Sequence, residues 1–179
     1  MTSNYLVSET LDKLLELDEE LKVNNSSLEY YLGIILRRED GFKYDCTPDD
    51  SRVFAHTGSD GDHFAFYTID EAVALDEAPI LLIQPMMFQM PVKVVAKNIR
   101  DLFAIYLTIK ELYILERFDW YLSEEDMIKD ITNNYEKQII ERNSEIEFIS
   151  KKLVNHLNLS PINNVYKYIT DLRREIKVK

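Results

Sequence analysis

The sequence predicts an α+β fold, with a mainly antiparallel sheet of about four strands packed by helices and an extra C-terminal helical segment. First, helical periodicity occupies both ends of the 179 residues, whereas four short apolar runs bounded by turn residues lie between them. Second, two of these runs are joined only by Gly58, Ser59, Asp60 and Gly61, a spacing typical of an antiparallel hairpin. Third, a hydrophobic content of 46% and a charged content of 30% are those of a globular chain that buries a core.

Two helices are predicted before the first strand. Ser8 can cap a helix from Glu9 to Lys22, because its side-chain oxygen can accept a hydrogen bond from the free N–H groups of the first turn. The polar run NNSS then interrupts the apolar stripe of this helix and caps a second one. We expect the second helix to extend from Leu28 to about Arg38, with Gly41 ending the segment.

A hairpin follows the loop that contains Pro48. The segments Arg52–Thr57 and His63–Thr68 are short and rich in aromatic residues, and the two glycines between them tolerate the positive φ that a tight turn requires. Because side chains alternate along a strand, Phe64 and Phe66 share one face. We expect that face to pack beneath a buried helix.

Two more strands and that helix complete the predicted sheet domain. The run ILLIQP is predicted to be a strand buried on both faces, since its apolar residues do not alternate with polar ones. The run MPVKVVA is predicted to be a strand with Pro91 near its start, where a missing backbone donor does least harm. Asn98 can cap a third helix over residues 99–118, which is apolar nearly all round and is expected to pack on the sheet.

The remainder of the chain is predicted to be helical. Ser123 can cap an amphipathic segment that continues to residue 157, and a straight helix of that length would be about 50 Å long. We therefore predict a bend near Asn133–Asn134 or Asn143–Ser144. A last helix is predicted with Ser160 as its cap and Pro161 in its first turn.

Two units are expected along the chain: an α+β domain over 1–122, and a helical extension over 123–179 that packs on the same domain. The apolar stripe of the extension is also compatible with pairing to a second chain. Folding back is the interpretation we adopt, so a monomer is expected rather than a homodimer.

Charge and composition restrict the classes of function. The net charge is −11, and residues 40–79 hold ten acidic against two basic residues. This balance argues against binding to a phosphate backbone and permits attraction of a basic partner. No apolar run approaches the roughly 20 residues of a membrane span, and the N-terminal sequence lacks the basic start of a signal peptide. With a single cysteine, Cys46, the sequence predicts a cytoplasmic protein that binds neither nucleic acid nor membrane.

Two sets of residues are candidates for a catalytic role. His56, Asp60, Asp62 and His63 carry metal-ligand chemistry, but their spacing matches no established site, and the aspartates and glycines are also the residues that a turn requires. Cys46 with a histidine base would be a nucleophile pair, but an acidic setting opposes thiolate formation. We predict no catalytic, metal-binding or cofactor-binding residue and no enzyme activity, with a metal-dependent hydrolase centred on the hairpin as the alternative.

The stretch from Thr47 to Glu116 resembles a known family. In order, TP, FAHTGSDGDHFAFYT, APILLIQPM and VKVVAKNIRDLFAIYL resemble the SUKH superfamily, which comprises fungal cell-wall-assembly regulators and bacterial immunity proteins of polymorphic toxin systems. The resemblance implies a non-enzymatic α+β domain that binds other proteins. In bacteria such domains typically neutralise a cognate toxin, often a nuclease.

A partner-binding surface is predicted in the acidic loops that border the hairpin. Its residues are Asp49, Asp50, Asp60, Asp62, Asp70 and Glu71. A basic toxin domain would be attracted to such a surface. A structural oligomerisation or regulatory module that uses the C-terminal helices remains a further alternative.

Overall fold

The computed structural model describes residues 6–69 and 73–178, and within them the chain forms a five-stranded antiparallel sheet covered by helices. The strands pair in sequence order, so that each is hydrogen-bonded to the next. Their bounds are β1 Ile35–Leu36, β2 Ser51–His56, β3 His63–Tyr67, β4 Ile80–Ile83 and β5 Val92–Ala96. The predicted α+β class is therefore confirmed, with one strand more than expected.

Seven α-helices are present in the described residues. They are α1 Glu9–Val23, α2 Leu28–Leu32, α3 Ile99–Ile109, α4 Glu124–Asn134, α5 Glu136–Glu141, α6 Asn143–Leu157 and α7 Val165–Glu175. Two 3₁₀ helices add to these, Leu75–Glu77 and Leu112–Trp120. None of the helices described is long and apolar enough to cross a membrane.

The prediction of a second helix from Leu28 to about Arg38 is correct only for its first turn. Helix α2 ends at Leu32, because Gly33 adopts a left-handed conformation (φ +70°) that stops the helix. The chain then extends as β1, in which Ile35 is paired with His56 of β2. Residues that were expected on a helix therefore form the edge strand of the sheet.

The predicted hairpin is present as β2 and β3. His56 is paired with His63 across the turn, and both Gly58 and Gly61 have positive φ, as the turn requires. A bulge between Val53 and Ala55 shifts the register.

Both faces of the sheet are buried. On the first face, Phe54, Phe64 and Phe66 belong to one core with Phe103 and Tyr106 of α3. This is the side that strand alternation predicted for the two phenylalanines of β3.

The second face has its own, smaller core. Its strand residues are Val53, Ala65, Tyr67, Leu81, Ile83 and Val94. Leu172 of α7 covers them, with Ile176 packed alongside. All four residues of β4 are buried, in agreement with a strand enclosed on both faces.

The C-terminal half differs from the sequence expectation at two helix ends. Helix α3 stops at Ile109, where Lys110 adopts φ +62°, and a 3₁₀ helix replaces the predicted continuation to residue 118. The last helix begins at Val165 with Asn164 as its cap, not at Ser160. In the segment before this helix, the backbone of Ile162 contacts α3. Its carbonyl oxygen accepts a hydrogen bond of 2.7 Å from Thr108 Oγ1.

The long amphipathic segment is divided in two places. Helix α4 ends at Asn134 and α5 ends at Glu141, so that the helical segment is interrupted next to each of the two asparagine-containing positions at which a bend was predicted. Helix α6 packs on α1, and α7 packs on β5. Through these contacts residues 123–178 lie against the sheet domain.

Candidate functional site

The antiparallel order of the strands brings three segments to one edge of the sheet. The β2–β3 turn (57–62) and the β4–β5 loop (84–91) lie at the same ends of neighbouring strands. Gln84 Nε2 joins them by donating a hydrogen bond of 2.9 Å to Asp62 Oδ2. Lys93, at the start of β5, reaches the 3₁₀ helix 112–120. We call this region, formed by 57–62, 84–91 and 112–120, the turn edge.

A chain of paired polar groups is buried beneath the turn edge. Lys93 is only 4% exposed, and its Nζ donates to Gln84 Oε1 at 2.7 Å and lies 2.8 Å from Asp119 Oδ2. The other oxygen of Asp119 accepts from Arg173 Nη1 at 2.5 Å. Burial alone would raise the pKa of Asp119, but the hydrogen bond from Lys93 and the charge of Arg173 outweigh it and lower the pKa. These charges stabilise one another and connect the sheet, the 3₁₀ helix and α7.

Two carboxyl groups of the turn edge have raised pKa values. Burial raises the pKa of Asp62. Burial, together with the nearby charges of Asp62 and Asp60, raises the pKa of Glu116 to about 8, so that its side chain is largely protonated at neutral pH. A carboxyl group of this kind is what a general acid or base requires. The cavity that Glu116 lines measures only about 150 Å³, however, and small-molecule sites usually measure about 300–1,000 Å³.

The histidine and aspartate residues of the hairpin do not form a metal site. Both ring nitrogens of His63 have partners, because Nδ1 lies 2.8 Å from the Gly61 carbonyl oxygen and Nε2 lies 3.0 Å from Thr47 Oγ1. Burial lowers the pKa values of His56 and His63. Throughout 6–69 and 73–178, no group of three or more histidine, cysteine or acidic side chains is placed to hold a metal ion. The alternative of a metal-dependent hydrolase therefore lacks its ligand set in the residues described.

Cys46 is half-buried and packs at the border of the second-face core. Burial raises the pKa of its thiol, so the group is protonated at neutral pH. A nucleophilic cysteine needs the opposite shift. Cys46 is therefore best described as a packing residue.

The four predicted partner-binding acids that the structure describes do not form one surface. Asp49 and Asp50 precede β2, and the Asp50 carbonyl accepts a hydrogen bond of 2.8 Å from Thr68 N at the edge opposite the turn. Asp60 is exposed in the turn. The prediction that Asp62 is a surface contact is wrong, because the residue is only 5% exposed and its carboxylate accepts a hydrogen bond from Gln84.

The last two acids of that prediction, Asp70 and Glu71, lie outside the described residues. Of the four acids that can be placed, only Asp60 is an exposed part of the turn edge.

Sequence reasoning missed a group of exposed apolar side chains at the turn edge. Phe88 is 88% exposed at the centre of the β4–β5 loop, between the exposed side chains of Met86 and Met90. The 3₁₀ helix adds Tyr113 and Trp120, and the Trp120 side chain is 61% exposed. The signal was available in the sequence as PMMFQMP, an apolar run enclosed by two prolines where a loop is expected.

Comparisons with protein-family models, with curated proteins and with solved structures find no match for this chain. The resemblance to the SUKH superfamily and the function that it implies therefore stay predictions.

Proposed function

We propose that the chain is a non-enzymatic protein-binding module that docks a basic protein partner on the turn edge. The observation that carries the proposal is the exposure of Phe88 and its two neighbouring methionines beside the acidic turn. Aromatic residues and methionine are enriched in protein interfaces, and a few buried aromatic anchors usually supply most of the binding free energy. An exposed apolar loop of this kind is costly for an isolated chain unless a partner covers it.

The charge of the molecule supports a basic partner. The net charge is −11, and Asp60 is an exposed acid next to Tyr113, whose pKa is raised by Glu116 and by the two aspartates of the turn. Complementary charge accelerates association and rejects acidic competitors. Proteins that bind nucleic acids carry clustered cations, so a nuclease is a fitting partner, and the chain would act as an immunity-type protein that neutralises such a toxin.

The buried polar groups support binding rather than catalysis. Lys93 and Asp119 are engaged with each other, and His63 has a partner on each ring nitrogen. A catalytic acid, base or nucleophile needs access to a substrate. At the turn edge the accessible apolar side chains are instead of the types enriched in protein interfaces.

The experiment uses the protein encoded next to this chain's gene, which the proposal expects to carry a basic toxin domain. Binding is measured by surface plasmon resonance for the parent chain, for Phe88→Ser and for the control Val23→Ser. Val23 is a similarly exposed apolar residue on α1, away from the turn edge. We expect Phe88→Ser to weaken binding at least tenfold and Val23→Ser to change it less than twofold.

The charge component is tested with Asp60→Asn against the double control Glu16→Gln with Glu19→Gln on α1. Because rim charges act mainly on encounter, Asp60→Asn should slow association and reduce its dependence on salt, with little change in dissociation. Absence of saturable binding, or equal loss in the Phe88 and Val23 variants, would reject the turn edge as the docking surface.

A further inference from the structure

A second cavity, separate from the turn edge, opens between the helices of the C-terminal half. It measures about 390 Å³, which is within the usual range for small-molecule sites, and none of its lining residues belongs to the turn edge. The end of α3, helices α4 and α5, and the start of α7 enclose it. Its apolar wall consists of Ile109, Met127, Ile128, Ile131, Ile139 and Val165. We call this cavity the helical cleft.

One half-buried cation lines the helical cleft. Lys110 follows the last residue of α3, adopts a left-handed conformation (φ +62°) that ends the helix, and lines the helical cleft. Burial lowers the pKa of this ammonium group, and the charge of Glu147 only partly opposes the shift. Within 6–69 and 73–178 no carboxylate forms a salt bridge with Lys110. With Glu147 only beyond salt-bridge distance, the ammonium group lacks a counter-ion in direct contact and is available for an anionic ligand.

The other polar groups of the helical cleft do not supply that counter-ion. The carboxylate of Glu124 accepts a hydrogen bond of 2.7 Å from Asn164 Nδ2, and Glu136 is exposed to solvent. Neither acid contributes to the pKa shift of Lys110. Thr108 Oγ1 already donates to the Ile162 carbonyl.

We propose that the helical cleft binds one small amphipathic carboxylate, such as a medium-chain fatty acid, with the carboxylate on Lys110 Nζ and the apolar body along the isoleucine-rich wall. Charge complementarity at Lys110 selects the carboxylate, because a hydrogen bond to an ionised group is stronger than one between neutral groups. Burial of the hydrocarbon against Ile128, which is 54% exposed in this structure, supplies the rest of the affinity. The cavity volume suits a small molecule.

The test is displacement of a bound fluorescent fatty acid, cis-parinaric acid, by dodecanoic acid, dodecanol or dodecylamine, each below its micelle concentration. We expect one binding site, with the acid about tenfold tighter than the alcohol and the amine weaker than the alcohol. Lys110→Met should remove the preference for the acid and leave the affinity for the alcohol unchanged. Lys137→Met is the control, because Lys137 is an exposed lysine of α5 that does not line the helical cleft.

Three outcomes would overturn the proposal. The first is equal affinity for acid and alcohol in the parent chain, and the second is an unchanged preference in a folded Lys110→Met variant. The third is a dimer in light scattering that Ile128→Ser dissociates, which would assign the helical cleft to a second copy of the chain. Should Lys110→Met fail to fold, methyl NMR of the parent chain decides the matter. Dodecanoic acid must then shift the methyl signals of the four isoleucines that line the cleft, Ile109, Ile128, Ile131 and Ile139. Signal shifts confined to other isoleucines would overturn the proposal.

Discussion

Asp60 and Asp62 lie two positions apart in the β2–β3 turn, but Asp60 is exposed whereas the carboxylate of Asp62 is buried, 2.9 Å from Gln84 Nε2. Asp60 adopts a left-handed conformation (φ +49°), and the chain then reverses so that the next aspartate is directed inward. The same residue type therefore serves two different purposes within one turn. Asp60 is exposed to solvent, and Asp62 belongs to the buried polar chain.

Asp62→Asn should stabilise the fold at pH 8. The raised pKa of Asp62 means that the folded state disfavours its charged form, mainly because of burial, and asparagine keeps an oxygen acceptor for Gln84 without the charge. We expect a gain of about 1 kcal/mol or less in the free energy of unfolding, measured by urea denaturation. Asp60→Asn is the matched control and should change this free energy by less than about 0.5 kcal/mol. A loss of stability in Asp62→Asn would show that the charge itself holds the turn.

Glu116→Gln should reduce the dependence of stability on pH between 7 and 8.5. Because the folded pKa of about 8 lies above the ordinary value of 4.5, the Glu116 contribution is greatest below the unfolded pKa and is lost as pH rises through 8. Over this interval the parent chain should lose about 1 kcal/mol more stability than Glu116→Gln. The interval lies above the ordinary histidine pKa, so that the lowered pKa values of His56 and His63 contribute little. Parallel stability curves for the two proteins would contradict the prediction.

Asp119→Ala should be among the most damaging substitutions in the chain. It leaves Lys93, whose side chain is 3% exposed, and Arg173 without their shared carboxylate. Removal of one member of a buried ion pair typically costs about 3–5 kcal/mol. Asp171→Ala on α7 is the control, because the ion pairs of Asp171 with Lys167 and Arg174 lie at the surface, and this substitution should cost far less than Asp119→Ala. Similar costs for both variants, measured by thermal and urea unfolding, would mean that the buried chain contributes no special stability.

Phe66→Ala should cost about 3–5 kcal/mol, the usual loss for a buried phenylalanine. Phe66 is completely buried on the first face of the sheet and packs on Phe54, with ring centroids 4.5 Å apart. Phe88→Ala removes the same side chain from an exposed loop and should change the free energy of unfolding by less than about 0.5 kcal/mol. A cost below about 1 kcal/mol for Phe66→Ala would contradict the observed strand orientation.

The features that local sequence determines were predicted well. Gly58 and Gly61 define the hairpin turn because few other residues tolerate their positive φ, and Ser8 and Asn98 cap the helices that were expected. Strand alternation predicted the face on which Phe66 is buried. In each case the determining signal lies within a few residues.

Features that depend on distant contacts were missed. Strand β1 has only two residues and exists because His56 and Ala55 pair with it, an interaction that no local pattern indicates. The inward direction of Asp62 depends on Gln84, and the late start of α7 depends on the contact of Ile162 with α3. Of the acids predicted in the β2–β3 turn, Asp60 is exposed as expected and Asp62 is buried, and the exposed apolar side chains of the β4–β5 loop were overlooked.

The packing of α7 on the second face has a consequence for biosynthesis. Residues 97–164 separate β5 from α7, and at about 5–20 residues per second a ribosome needs roughly 3 to 14 seconds to synthesise them. During that time the sheet side that contains Val53 and Leu81 lacks its cover of Leu172. A nascent chain thus displays an apolar β-surface for seconds before it can be closed. Chaperones that bind such surfaces during translation would have their longest opportunity on this side of the molecule.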